Sequence, residues 1–194
     1  MVQLKNSTQI SFSRGDRDIK DGEVVEEHPN MREVLQGDVA IRQHMADLIA
    51  SSTGDVGSRC VAVWDGIFRL SLLRKNGIEF PSERTVYSED LVFKLRALES
   101  SNIVSFLPNS YYEYHISESS YSKCVDVHVI DKLVSMYRMI ECEFSETLDG
   151  FCFSSRTHRG CLLRSVLLCA AHRWIKVVCR FSERLSQIRI CVIV

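Results

Sequence analysis

At 194 residues, 45% hydrophobic and 25% charged, the chain has the makeup of a globular domain with a real core, which excludes a disordered or fibrous polymer. A formal net charge of −1 gives no long-range field to steer a nucleic acid or other polyanion. The charge is unevenly placed, because basic residues from Arg156 to Arg189 outnumber the acid Glu183 eight to one after Gly150. The eight cysteines form no CxxC pair and no zinc-ligand spacing, and no secretory leader opens the sequence. They read as small apolar residues kept reduced, and the expected location is cytoplasmic.

In chain order, residues 10–13 and 23–25 are β-like runs around a polar segment ending in Asp21-Gly22, the signature of a hairpin turn. Asp16-Arg17-Asp18 falls in that polar segment. Residues 30–51 carry helical patterning in two pieces, with Met31, Val34 and Leu35 before Gly37, and Ile41, Met45, Leu48 and Ile49 after it. Residues 51–55 read as a loop. Residues 64–76 carry Ile67, Leu70, Leu72 and Leu73 and stop at Asn76-Gly77, where glycine can end a helix in the left-handed conformation. Ser88 is placed to cap a helix whose apolar face holds Leu91, Leu95 and Leu98, with Phe93 and Ala97 beside them. A strand at 103–107 is stopped by Pro108, a second alternates over 111–116, and 126–144 returns to helix through Leu133, Met136, Tyr137 and Ile140.

A transmembrane helix needs about 18 or more consecutive apolar residues. Residues 161–179 are interrupted by Arg164, His172, Arg173 and Lys176, so this stretch does not span. It is patterned either as a helix packed on its own domain or as a basic amphipathic helix lying peripherally on the inner face of a membrane.

Chemistry centres on Glu89-Asp90. A carboxylate in the first turn of a helix complements the positive helix end and is held ionised and directed, as a positioned proton acceptor must be. The same placement is equally explained by dipole compensation alone. Trp64 offers a flat face for a sugar ring or is a core residue, and Asp65 and Arg69 could hydrogen-bond acceptor or phosphate oxygens. His115, followed by Ser117, Ser119 and Ser120, could pair with phosphate when protonated or simply end a strand. The remaining histidines have no metal-ligand spacing.

Val63-Trp64-Asp65-Gly66-Ile67-Phe68-Arg69, then Tyr87-Ser88-Glu89-Asp90-Leu91-Val92-Phe93, then Tyr111-Tyr112-Glu113-Tyr114-His115 resemble, in that order, the acceptor-side half of a family 2, GT-A-type glycosyltransferase. The resemblance runs from about Asp21 to Lys132. It implies an α/β fold, a partial GT-A-like (Rossmann-like) domain over 1–123, with a helical C-terminal region carrying the basic tail over 124–194. It also implies inverting transfer of a sugar from a nucleotide-sugar to a glycan or lipid-linked acceptor. Asp90 would be the base, Glu89 its partner in the pair, and Trp64, Asp65, Arg69 and His115 substrate-binding residues. A divalent cation, Mn²⁺ or Mg²⁺, would accompany the diphosphate, although no residue here is identifiable as its ligand. Asp16-Arg17-Asp18 matches the family's "DxD" by letter but not by context. The family's nucleotide-binding segments, "PxYN" and "VDDGSxD", are not found in this sequence. The expectation is therefore a truncated glycosyltransferase-like protein, or one completed by a companion chain. The alternative is a non-catalytic interaction module that binds a partner chain or a membrane surface.

Overall fold

The computed structural model describes residues 9–20, 22–27, 33–49, 61–115 and 128–149. The expected loop at 51–55, the serines after His115 and the basic segment after Gly150 lie outside the described residues. Among the described residues nine elements follow in order: β1 (Ile10–Lys20), β2 (Glu23–Glu27), β3 (Glu33–Gln36), α1 (Asp38–Ile49), β4 (Gly66–Phe68), α2 (Leu70–Asn76), α3 (Glu89–Glu99), β5 (Ile103–His115) and α4 (Val129–Phe144). The fold is mixed α/β.

The sheet is open, in the order β2-β1-β5-β3, and β4 pairs with the start of β1. β1 and β5 are parallel, so the chain between them must cross over, and α1, α2 and α3 lie on that crossover. The other pairings are antiparallel. Phe12 on β1 fixes which helices cover the sheet. Its ring lies 5.6 Å from that of Phe106 on β5, 5.8 Å from Phe68 on β4 and 6.4 Å from His44 on α1. Lys94 of α3 sits over the same ring. Helices α1 and α3 therefore pack on the Phe12 face.

The helical patterning selects the core well in α1, α3 and α4, but not over 64–76, where Ile67 and Leu70 are exposed and of the four apolar positions Leu72 alone is buried. Ile41, Met45, Leu48 and Ile49 of α1, Leu91, Leu95 and Leu98 of α3, and Leu133, Met136, Tyr137 and Ile140 of α4 are all buried. Each such apolar side chain contributes about 1.5–3 kcal/mol by leaving water. Arg96 fastens α3 to α4. Its Nε and Nη2 donate to the two carboxylate oxygens of Glu143 at 2.8 and 2.7 Å, and its Nη1 donates to the Glu79 carbonyl at 2.9 Å. The hydrogen bond to Glu143 holds the Arg96 guanidinium above its already high ordinary pKa. Thr147 donates to Glu99 as a further tie after α4.

Several local expectations are corrected. Residues 33–36 form a strand, not a first helical piece, because they pair with 103–106 of β5 and their burial alternates with period two. Residues 66–68 likewise form β4, leaving only Leu70–Asn76 helical. There the Arg69 N–H donates to the Gln9 carbonyl at 3.0 Å, extending the β1 edge instead of a helical ladder. The end of α2 is as expected, with Gly77 at φ 60° receiving the last turn. Finally, Pro108 does not stop the strand, and β5 runs unbroken to His115. Register passes from Ser13↔Leu107 to Gly15↔Ser110, so Pro108, which has no N–H, falls at an irregularity beyond the end of β3. The expected hairpin is present as β1 paired with β2, but β1 extends through 16–18, which places Asp16-Arg17-Asp18 in a strand and not in the polar segment of the turn. No described helix is long and apolar enough to cross a membrane.

Candidate functional site

Residues 63–66 make a hydrogen-bonded turn, with the Gly66 N–H donating to the Val63 carbonyl at 3.0 Å. Trp64 and Asp65 occupy its two corner positions, and glycine is a favoured closing residue for such turns. Gly66 is also required by space. A Cβ there would lie 2.7 Å from Phe68 Cε2 and 3.0 Å from Phe12 Cδ1. Phe12 thus dictates both the pairing of β4 and the close approach of the turn that precedes it.

α3 begins below this turn. Ser88 is extended at φ −136° and ψ 95°, and its Oγ accepts from the Leu91 N–H at 3.4 Å, which satisfies one orphan donor of the first turn. With that donor served by serine, the Asp90 carboxylate turns to another segment. Its Oδ2 accepts from the Val63 N–H at 3.1 Å, 27 residues earlier in sequence. Asp90 is half-buried, and Oδ1 makes no other hydrogen bond among the described residues. Glu89 stands beside it, also half-buried.

One helical turn further along α3 is Lys94. Its Nζ lies 2.7 Å from Oδ1 of Asp65, as a close ion pair rather than a well-aligned hydrogen bond, and both side chains are nearly removed from water. The ammonium also lies 4.6 Å from the centroid of the Phe12 ring, whose negative face attracts it. The turn is therefore held on α3 at two points four helical residues apart, Val63 on Asp90 and Asp65 on Lys94.

Trp64 points away from this clamp. Its ring stacks on Tyr112 of β5, with centroids 4.3 Å apart and planes inclined by 23°. Tyr112 is itself partly exposed, so the pair makes an aromatic surface beside the start of α3. The arrangement stands toward the C-terminal ends of the two parallel strands, where open α/β sheets characteristically bind ligands.

The structure brings together Trp64, Asp65, Glu89 and Asp90. It does not bring Arg69 to them, because Arg69 stands at the far end of β4, next to Gln9. His115 is exposed three residues beyond Tyr112, opposite Ile19, on the same end of the sheet but with no contact to Asp90. Lys94 is the residue that motif reading passed over. At three residues from Leu91 and four from Leu98, its spacing puts it on the buried face of α3, and a charge in such a position signals a buried partner. The alternation over 111–116 marks a strand but gives no sign that Tyr112 stacks on Trp64.

No three His, Cys, Asp or Glu side chains are grouped to hold a metal ion among the described residues. One Asp90 oxygen is already occupied by a backbone donor. The described residues therefore do not by themselves assemble the divalent-cation site that a GT-A resemblance implies. Compared with known proteins, the chain matches no family model, no curated sequence and no solved structure.

Proposed function

We propose that the chain is the acceptor-side part of a GT-A-type inverting glycosyltransferase, with Asp90 as the base. The observation that carries this reading is the Val63–Asp90 hydrogen bond. It joins two of the resembling sequence blocks, the Trp64 turn and the Glu89-Asp90 helix start, into one surface. Such a bond uses one carboxylate oxygen for orientation and leaves the other to accept a proton. An acceptor hydroxyl would lose its proton to Oδ1 as its oxygen attacks the anomeric carbon, and the bond from that carbon to the nucleoside diphosphate would break on the opposite face. The Trp64–Tyr112 surface would carry the apolar face of the acceptor's sugar ring. Asp65 is engaged with Lys94, so its role in this scheme is to hold the turn, while Arg69 stands at the opposite end of β4 from that turn.

Turnover tests this directly. The full chain and its Asp90→Asn variant are compared for hydrolysis of, and transfer from, UDP- and GDP-sugars with Mn²⁺ or Mg²⁺. Turnover lost in the variant while the fold is kept supports Asp90 as the base. Neither binding nor turnover with any sugar nucleotide counts against the reading and favours a non-catalytic interaction module.

A further inference from the structure

We infer that Lys94 and Asp65 act together as a positioning device for the Asp90 carboxylate, holding the 63–66 turn where the Val63 N–H meets it. The inference builds on the proposal that Asp90 is the functional carboxylate, but its geometry stands without any transferase activity. Three observations carry it. Lys94 and Asp65 are both almost fully buried and paired at 2.7 Å. The residues they act on, Val63 and Asp90, are bonded to each other at 3.1 Å. In sequence, Asp65 is two residues from Val63 and Lys94 four residues from Asp90, so each member of one contact is covalently close to a member of the other.

Stability alone does not account for such a pair. Replacing a buried ion pair with well-packed apolar side chains is often neutral or stabilising, whereas an ion pair fixes direction and distance in a way apolar contacts do not. Here the direction that matters is that of the turn. The Gly66–Val63 hydrogen bond closes the turn on itself but does not set its height above α3. The Lys94–Asp65 contact does, with the Phe12 ring under the ammonium as the third support. Trp64, between the two anchored residues, is oriented onto Tyr112 by the same clamp.

Amide hydrogen exchange on the full chain tests the inference, because the Val63 N–H is protected by the Asp90 side chain and not by a sheet or helix ladder. Slow exchange at Val63 is expected in the wild type, with its loss in Asp90→Ala. In the isosteric, charge-free variant Asp65→Asn/Lys94→Met, protection at Val63 should fall toward that of Asp90→Ala while core amides of α1 and α3 keep theirs. Should that variant not fold, Asp65→Asn alone carries the same test. Wild-type protection of Val63 in either folded variant overturns the inference, as does insensitivity of Val63 to Asp90→Ala. Absence of sugar transfer with this exchange pattern intact would defeat the proposed activity and leave the positioning role standing.

Discussion

Removing Lys94 alone gives the sharpest test of how this site is held together. The Lys94 and Asp65 side chains are only 2% and 7% exposed, so Lys94→Met leaves a carboxylate buried without its counter-charge. Breaking a buried pair from one side costs about 3–5 kcal/mol. That is a large share of the roughly 5–15 kcal/mol by which an ordinary domain is stable. Asp65→Asn instead takes the carboxylate away from a buried ammonium that keeps the Phe12 ring, whose attraction is worth about 0.5–2 kcal/mol. The double variant removes both charges of the pair and keeps a neutral amide at position 65, whose burial costs about 1–3 kcal/mol at most. It should therefore be more stable than Lys94→Met, although it carries one more substitution. Urea unfolding followed by far-UV circular dichroism gives all three values. If Lys94→Met costs less than about 1 kcal/mol, or the two single effects simply add, the charges are not dependent on each other and the buried-pair account fails.

Other expectations follow from the same contacts. Asp90→Asn should abolish any transfer but shift stability by less than about 1 kcal/mol, because the amide oxygen can still accept from Val63; turnover and a thermal melt read the two separately. Arg96→Ala removes both bonds to Glu143 and the one to the Glu79 carbonyl, and should cost about 1–2 kcal/mol for a pair that is partly solvent-screened. Because the folded pKa of Arg96 is raised, its stabilisation is complete below the unfolded value and is lost only as pH rises through the folded one. The urea-midpoint difference between wild type and Arg96→Ala should thus be flat from neutrality to about pH 10. Gly66→Ala drives a methyl into the Phe68 and Phe12 rings and should cost about 1–3 kcal/mol, with partial recovery when Phe68→Leu is added.

Helices were legible where their periodicity was uninterrupted. Leu91, Leu95 and Leu98 define their face of α3 unaided, and Ser88 marks its start through hydroxyl chemistry that depends on neighbours three residues away. Strands are not legible where the deciding partner is distant. Glu33–Gln36 is too short to show alternation until β5 is beside it, and Pro108 looks terminal until the β1 register shifts at that point. The site followed the same division. Glu89-Asp90 could be found as a helix start, but not the fact that its carboxylate would reach Val63 instead of its own helix. Lys94 was accessible in principle from its position among buried leucines, whereas its partner Asp65 lies 29 residues earlier and could be identified only by the fold.

The early end of β3 divides β5 mechanically. Up to Phe106 the strand is clasped on both sides, by β1 and β3, beneath packed helices; from there to His115 its described pairing is to β1 alone. Among the described residues that second stretch has one strand neighbour where the first has two, and a strand held along one side is the more compliant member of a sheet. Tyr112 rides on that compliant stretch, while Asp90 is set in the stiff start of a helix. The two sides of the proposed acceptor surface therefore differ in stiffness. An incoming ring would be accommodated by movement on the aromatic side, leaving the proton-accepting side in register.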